Sequence, residues 1–194
     1  EALDGAPTRD DLVVVGGDRL STSELEATTS SVAAALAERS VGRGDRVAFQ
    51  LPVSVDAVVL YRACWRLGAV AAALHPRAGP AQLVAAFEVL NPVVQVAGPG
   101  SPAAELPGVL DARSLRGSGE VPPIFVAPSD DALVMFTSGS SGVPKGVVHT
   151  HGGLLYKVRQ LLEVHSLGPE DVILMPAPLA HVSGLLHGIL VPGV

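Results

Sequence analysis

Cysteine is almost absent: Cys64 stands alone in 194 residues. A single thiol cannot close an internal disulfide, so the chain fits a reducing compartment, and the expected location is the cytoplasm. Aromatic residues make up 4% and charged residues 16%, with a formal net charge of −6. Lys and Arg form no patch, so nucleic acid is an unsuitable partner. No secretory signal is present, and no integral membrane segment is expected. The longest apolar candidate, Ala57 to Leu74, is broken by Arg62 and Arg66. There are no internal repeats. A GxGxxG fingerprint is missing too.

What is abundant is apolar: hydrophobic residues reach 48%. One source is a buried parallel sheet, whose strands are apolar on both faces. The other is apolar surface that belongs against a partner or another part of a larger protein. A compact chain of this length buries about 70% of its unfolded surface, enough for a real core.

The local signals alternate. DLVVVGG (11–17) reads as a strand and turn. Ser21-x-x-Glu24 has the form of a capping box, and the pattern predicts a helix to about Arg39. DRVAFQLP (45–52) is a strand stopped by proline, and Ser54 caps a helix running to Leu67. A strand over Ala69 to Leu74 comes next, then a helix opened by Pro80 and reaching Leu90, then a strand over 92–97. This order predicts an α/β fold, a parallel sheet with flanking helices. Residues 98–128 are rich in Gly, Pro and Ser and read as a linker or surface excursion. The pattern resumes with a strand at 133–136, a helix over 154–165, a strand at 172–175 (VILM) and a helix start near Ser183. Two units are expected: a first α/β subdomain over 1–130 and the incomplete start of a second over 131–194.

Between Phe136 and Val147 lies a loop with four hydroxyls, three glycines, one proline and one lysine: TSGSSGVPKG. A glycine-rich turn after a buried strand can aim several backbone N–H groups at an oxyanion. Thr137, Ser138, Ser140 and Ser141 add hydroxyls, and Lys145 adds a compact charge suited to phosphate. Ser and Gly alone would equally make an exposed connection. The framing strands and the Pro-Lys-Gly ending favour a polyphosphate cover. The Walker loop does not match, because Gly146 stands where Ser or Thr is required. The GxSxG nucleophile elbow does not match any serine of this loop either.

The loop resembles the signature of the adenylate-forming enzymes, a group of acyl- and aryl-CoA synthetases, luciferases and peptide-synthetase adenylation domains. That signature reads two hydroxyl residues, Gly, a hydroxyl residue, a hydroxyl residue or Gly, Gly, any residue, then Pro-Lys-Gly. Every position from Thr137 to Gly146 fits it. The segment from Leu20 to Pro52, RLGAVAAALHPR (66–77) and PAPLAHVSG (176–184) are similar to further segments of the same family. Amino-acid-activating members usually carry an aspartate in the last of these, where this chain has His181 and no acid. The resemblance therefore implies an acyl- or aryl-CoA synthetase acting on a fatty or aryl acid, with ATP, Mg²⁺ and coenzyme A.

By that resemblance, Thr137, Ser138, Gly139, Ser140, Ser141, Gly142, Lys145 and Gly146 hold the ATP phosphates. Thr137 is the position that meets Mg²⁺. Lys145 steadies the phosphates or the closed loop. His181 lies between acyl pocket and reaction centre, and Gly184 lets the substrate pass close to the backbone. His149 and His151 form an HxH pair without an apparent third ligand. Cys64, Trp65 and Tyr61 read as packing. A complete member of the family is considerably longer, and the chain starts with Glu1 and stops at Val194. The expectation is a truncated N-terminal part of the large domain, inactive alone and able to self-associate through apolar surface. Two other readings stay open: a nucleotide- or acyl-adenylate-binding module without turnover, and a structural or interaction piece.

Overall fold

The computed structural model describes residues 13–15, 18–121, 124–137 and 144–193. Strands β1 (Val13–Val15) and β2 (Asp18–Leu20) make a two-stranded antiparallel ribbon. Helix α1 (Thr22–Ala37) starts where the capping box places it. Glu24 N–H donates to Ser21 Oγ at 3.2 Å, and Ser21 N–H donates to Glu24 Oε2 at 2.9 Å. Two amides that the first helical turn cannot satisfy are thereby paired.

The remaining strands are β3 (Arg46–Gln50), β4 (Val70–Ala73), β5 (Val94–Ala97), β6 (Leu110–Asp111), β7 (Asp131–Thr137) and β8 (Lys145–Thr150). They form one six-stranded sheet in the order β6-β5-β3-β4-β7-β8. All neighbours are parallel except β7 and β8, which form an antiparallel hairpin. The expected α/β class holds, with a sheet that is mainly parallel. The expected division between 130 and 131 falls at the start of β7, a strand of this same sheet.

Helices α2 (Val55–Arg66) and α3 (Pro80–Leu90) connect β3 to β4 and β4 to β5. The two crossovers travel in opposite directions along the sheet. Right-handed connections then put the helices on opposite faces. Alternation along each strand agrees. Val47, Phe49, Ala71, Ala73, Leu133 and Met135 share a core with α1 and α2, whereas Ala48, Val70, Ala72 and Val134 pack with Leu90 of α3. Both faces of β3 and β4 are buried, which accounts for much of the apolar composition.

Helix α4 (His151–His165) begins three residues before the expected start at 154, because Thr150 caps it: Gly153 N–H donates to Thr150 Oγ1 at 3.2 Å. Helix α5 (Val182–Leu185) runs directly into a π-helical turn over Leu186–Leu190. Two expectations are corrected. The 98–128 stretch is more than a surface excursion: it forms β6 at the sheet edge and buries Ala103, Ala112 and Leu115. Gly117 in the same stretch sits against the α1 backbone, where a Cβ would overlap the Ala35 amide nitrogen, and it exchanges hydrogen bonds with Ser31. Residues 172–175 do not form a strand. They run without a ladder partner among the described residues, and Val172 and Leu174 are each 88% exposed.

One buried amide ties the carboxyl ends of the strands together. Gln50, at the end of β3, is fully buried. Its Nε2 donates to the carbonyls of His75 and Ala78, each at 3.0 Å, and its Oε1 accepts from Ala103 N–H at 2.8 Å. Replacing Gln50 with Leu strands these backbone groups away from water, and each costs about 1–3 kcal/mol. The expected result is a Gln50→Leu variant destabilised by about 2–4 kcal/mol in urea unfolding, with an unchanged slope.

Candidate functional site

The carboxyl ends of parallel strands are where α/β sheets bind ligands, because loops and helix starts converge there. The TSGSSGVPKG loop leaves the sheet at that end, from the last residue of β7. Its base is held at the opposite end of the strand. Arg43 donates to both carboxylate oxygens of Asp130, through Nε and Nη2, each at 2.9 Å, and Ala127 N–H donates to Asp130 Oδ2 at 2.9 Å. Arg43 above all, then the Ala127 amide, holds the Asp130 carboxyl below its ordinary value. Further along, Trp65 Nε1 of α2 donates to the Ala132 carbonyl at 3.0 Å. The strand that presents the loop is thus fixed from a surface ion pair and from the core.

Thr137 and Lys145 pair across the hairpin as its last described register partners. Both are exposed. Among the described residues the Thr137 hydroxyl donates one long contact to the Lys145 carbonyl, 3.4 Å. Gly146 comes next, and a Cβ there would come within 2.8 Å of Val134 Cγ1. Glycine at this position lets the two strands lie close as the loop begins. Ser138, Gly139, Ser140, Ser141 and Gly142 lie outside the described residues. An exposed hydroxyl and an exposed cation facing each other at a loop mouth suit a magnesium-bound polyphosphate. Among the described residues no group of three His, Cys, Asp or Glu could hold a metal, His149 and His151 included.

His181 belongs to a second segment. It caps α5, with Leu185 N–H donating to its carbonyl at 2.9 Å, and its own N–H closes a turn onto the Pro178 carbonyl at 3.0 Å. Leu179 in that turn is buried, and the Tyr61 hydroxyl of α2 donates to its carbonyl at 2.9 Å. Gly184 presses on the same turn: a Cβ on it would overlap the Pro178 carbonyl oxygen. The space beside Gly184 is therefore filled by this chain's own backbone. The His181 side chain is exposed, and its ring lies 5.1 Å from that of His75, tilted by 55°.

Nothing in the sequence singles out His75. It comes just after β4, the parallel neighbour of β7, with Ala71 opposite Leu133. His75 and Thr137 thus stand at the same end of one strand pair. Partial burial first, then the facing His181 and Arg77, lower the His75 pKa from its ordinary value. Tyr61 and Trp65 do pack, as expected, but each also places a hydrogen bond on one of the two site segments. Cys64 is buried, burial pushes its thiol pKa up, and it offers no nucleophile.

A family model described as AMP-binding enzyme matches residues 2–193. The chain is 30% identical to a medium-chain fatty-acid–CoA ligase of Escherichia coli over 88% of its own length and 35% of that protein. It is 32% identical to an L-proline–[L-prolyl-carrier protein] ligase of Pseudomonas fluorescens, covering 88% of this chain and 38% of that protein. Its fold matches O-succinylbenzoate coenzyme A synthetase of Bacillus subtilis in complex with AMP, with a TM-score of 0.85 at 23% identity, over 96% of this chain and 51% of that one. The same synthetase in complex with ATP and magnesium ion matches with a TM-score of 0.79. The chain spans between a third and about half of the length of these relatives.

The two ends of the loop separate binding from folding. Lys145 is exposed, so Lys145→Ala should leave unfolding stability within about 0.5 kcal/mol of wild type. Gly146→Ala forces a methyl onto Val134 and should cost about 1–3 kcal/mol in the same urea measurement.

Proposed function

The chain belongs to the AMP-binding enzyme family, and from that premise we propose that it is the N-terminal portion of an ATP-dependent carboxylate–CoA ligase. The observation that carries this reading is the Thr137–Lys145 mouth at the carboxyl end of the sheet. MgATP, when bound, supplies an electrophilic α-phosphorus and pyrophosphate as leaving group. The chain's own work is to hold and shield charge. Backbone amides and hydroxyls of residues 138–142, with Lys145 and Gly146, take the β- and γ-phosphates. The Thr137 hydroxyl meets the metal. Lys145 offsets negative charge that a carboxylate would otherwise meet on approach. His181 lies beside the reacting carboxylate, and Gly184 serves that site by letting the 178–181 turn close. Coenzyme A is the acceptor of the acyl group.

The substrate class is read from His181. The 176–184 segment carries no acidic side chain to pair with an ammonium group, which favours a fatty or aryl acid. The E. coli relative named for medium-chain fatty acids supports this. The L-proline ligase relative makes amino acids the necessary control. A division at 130/131 is proposed for the longer protein. Residues from α4 onwards leave Tyr156, Val164, Val172 and Leu174 exposed, surface that another part of that protein can cover. The proposed location is the cytoplasm; no helix among the described residues is long and apolar enough to cross a membrane.

Calorimetric titration with MgATP tests the reading. The wild-type chain should bind, and Lys145→Ala should weaken binding about tenfold or more, the worth of one hydrogen bond to a charged group. Equal binding by both would overturn the loop assignment. ATP–pyrophosphate exchange with fatty, aryl and amino acids should be absent for the chain alone, and with coenzyme A added no sustained acyl-CoA formation should be seen. Turnover by this chain would refute its incompleteness, and binding without exchange in any longer form would favour the nucleotide-binding module. The exposed β8 edge, with Val147 and Val148 on its two faces, supports self-association. Light scattering should show mass rising with concentration.

A further inference from the structure

We propose that His75 is a positioning residue for His181, the two imidazoles forming a tilted pair in which the core-anchored ring sets the place of the exposed one. The inference rests on the reading of His181 as the residue beside the reacting carboxylate. His75 is suited to the task because its own place is fixed three times over. Its Nδ1 accepts the Arg77 N–H at 3.1 Å, which leaves the neutral ring's proton on Nε2. Its carbonyl accepts from the buried Gln50 amide at 3.0 Å and from Ala78 N–H at 2.9 Å. The turn bearing His75 is therefore anchored to the core through β3.

His181 is placed differently. Its backbone is fixed by the Pro178 turn and by Tyr61 on Leu179, but its side chain projects outward. The ring it lies beside is that of His75, at 5.1 Å between centroids. At that distance two positive rings repel. The groups that bear on the charge of His75 are His181, from the turn ahead of α5, and Arg77, from its own turn. Both oppose a proton there, in the direction that the lowered His75 pKa also takes.

Two variants separate the ring from the turn. His75→Asn keeps a side-chain acceptor for the Arg77 N–H and removes the imidazole. His181→Ala removes an exposed ring and leaves the His75 turn intact. Imidazole resonances are followed by NMR in the 194-residue chain from about pH 5 to 8, the range in which histidine titrates. In His181→Ala the His75 midpoint should rise, because the facing imidazole that opposes a proton on it is gone. In His75→Asn the His181 ring signals should move and broaden while the unfolding temperature stays that of wild type. An unchanged His75 midpoint, or His181 signals indifferent to His75→Asn, would overturn the proposal. Neither readout uses ATP or an acid, so failure of the ligase reading in the MgATP titration is a separate result.

Discussion

The burial of the middle of α2 is the constraint on which the rest of the arrangement depends. Nine consecutive residues, Ala57 to Trp65, are buried, in a helix between the sheet and α1. A helix can be covered on all sides only where its neighbours come close. Small residues share its core, Ala33 and Ala35 of α1 and Ala71 and Ala73 of β4, while Phe49 of β3 packs edge-on against Tyr61 at 4.9 Å. Close packing of this kind makes an unsatisfied polar group costly. Tyr61 and Trp65 are each an apolar body with one polar tip, and each tip must find an acceptor. Tyr61 finds the Leu179 carbonyl and Trp65 the Ala132 carbonyl. Those acceptors belong to the two segments that carry His181 and Thr137. The demands of core packing therefore set the relative placement of the two groups the proposed chemistry needs.

The hairpin balances this rigidity with an open edge. Parallel strands β3, β4 and β5 lie inside the sheet, but β8 has β7 on one side and no further strand among the described residues on the other. Val147 and Val148 point to opposite faces of it and both are exposed. The apolar composition thus has both of its expected sources, a doubly covered sheet and apolar side chains left on the surface. The surface share is spread over the chain, with Val84 and Val89 on α3 and Phe125 before β7 as well as Val164, Val172 and Leu174 exposed.

How much of this was legible in the sequence depends on how local the signal is. The Ser21–Glu24 box, Ser54 and Pro80 placed helix starts because capping is settled within four residues. Thr150 is a local cap too, yet the apolar run suggested a later start. The strand expected at 172–175 failed because an apolar run gives a strand its faces and not its partner. β6 went unseen for the converse reason: two residues have no period, and only the neighbouring β5 makes them a strand. Among the site residues, the Thr137–Lys145 mouth was legible through its unbroken motif. His75 was not, since nothing in the sequence brings it to a residue more than a hundred positions away.

That last pairing shows why a parallel sheet suits a site of this kind. In β4 and β7 the chain direction is the same, so the segments leaving the two strands emerge on the same side. The segment leaving β4 is a turn pinned by Gln50, and the one leaving β7 is the phosphate-loop candidate. Sequence separation between them is irrelevant once the strands are neighbours. The 178–181 turn is tied to α2 by the Tyr61 hydrogen bond and reaches the segment leaving β4 through the His181 and His75 rings. Three segments distant in the chain thus meet at one end of one strand pair. A change to the core that shifts α2 must move the Leu179 and Ala132 acceptors together, and with them the groups proposed to face the carboxylate and the phosphates.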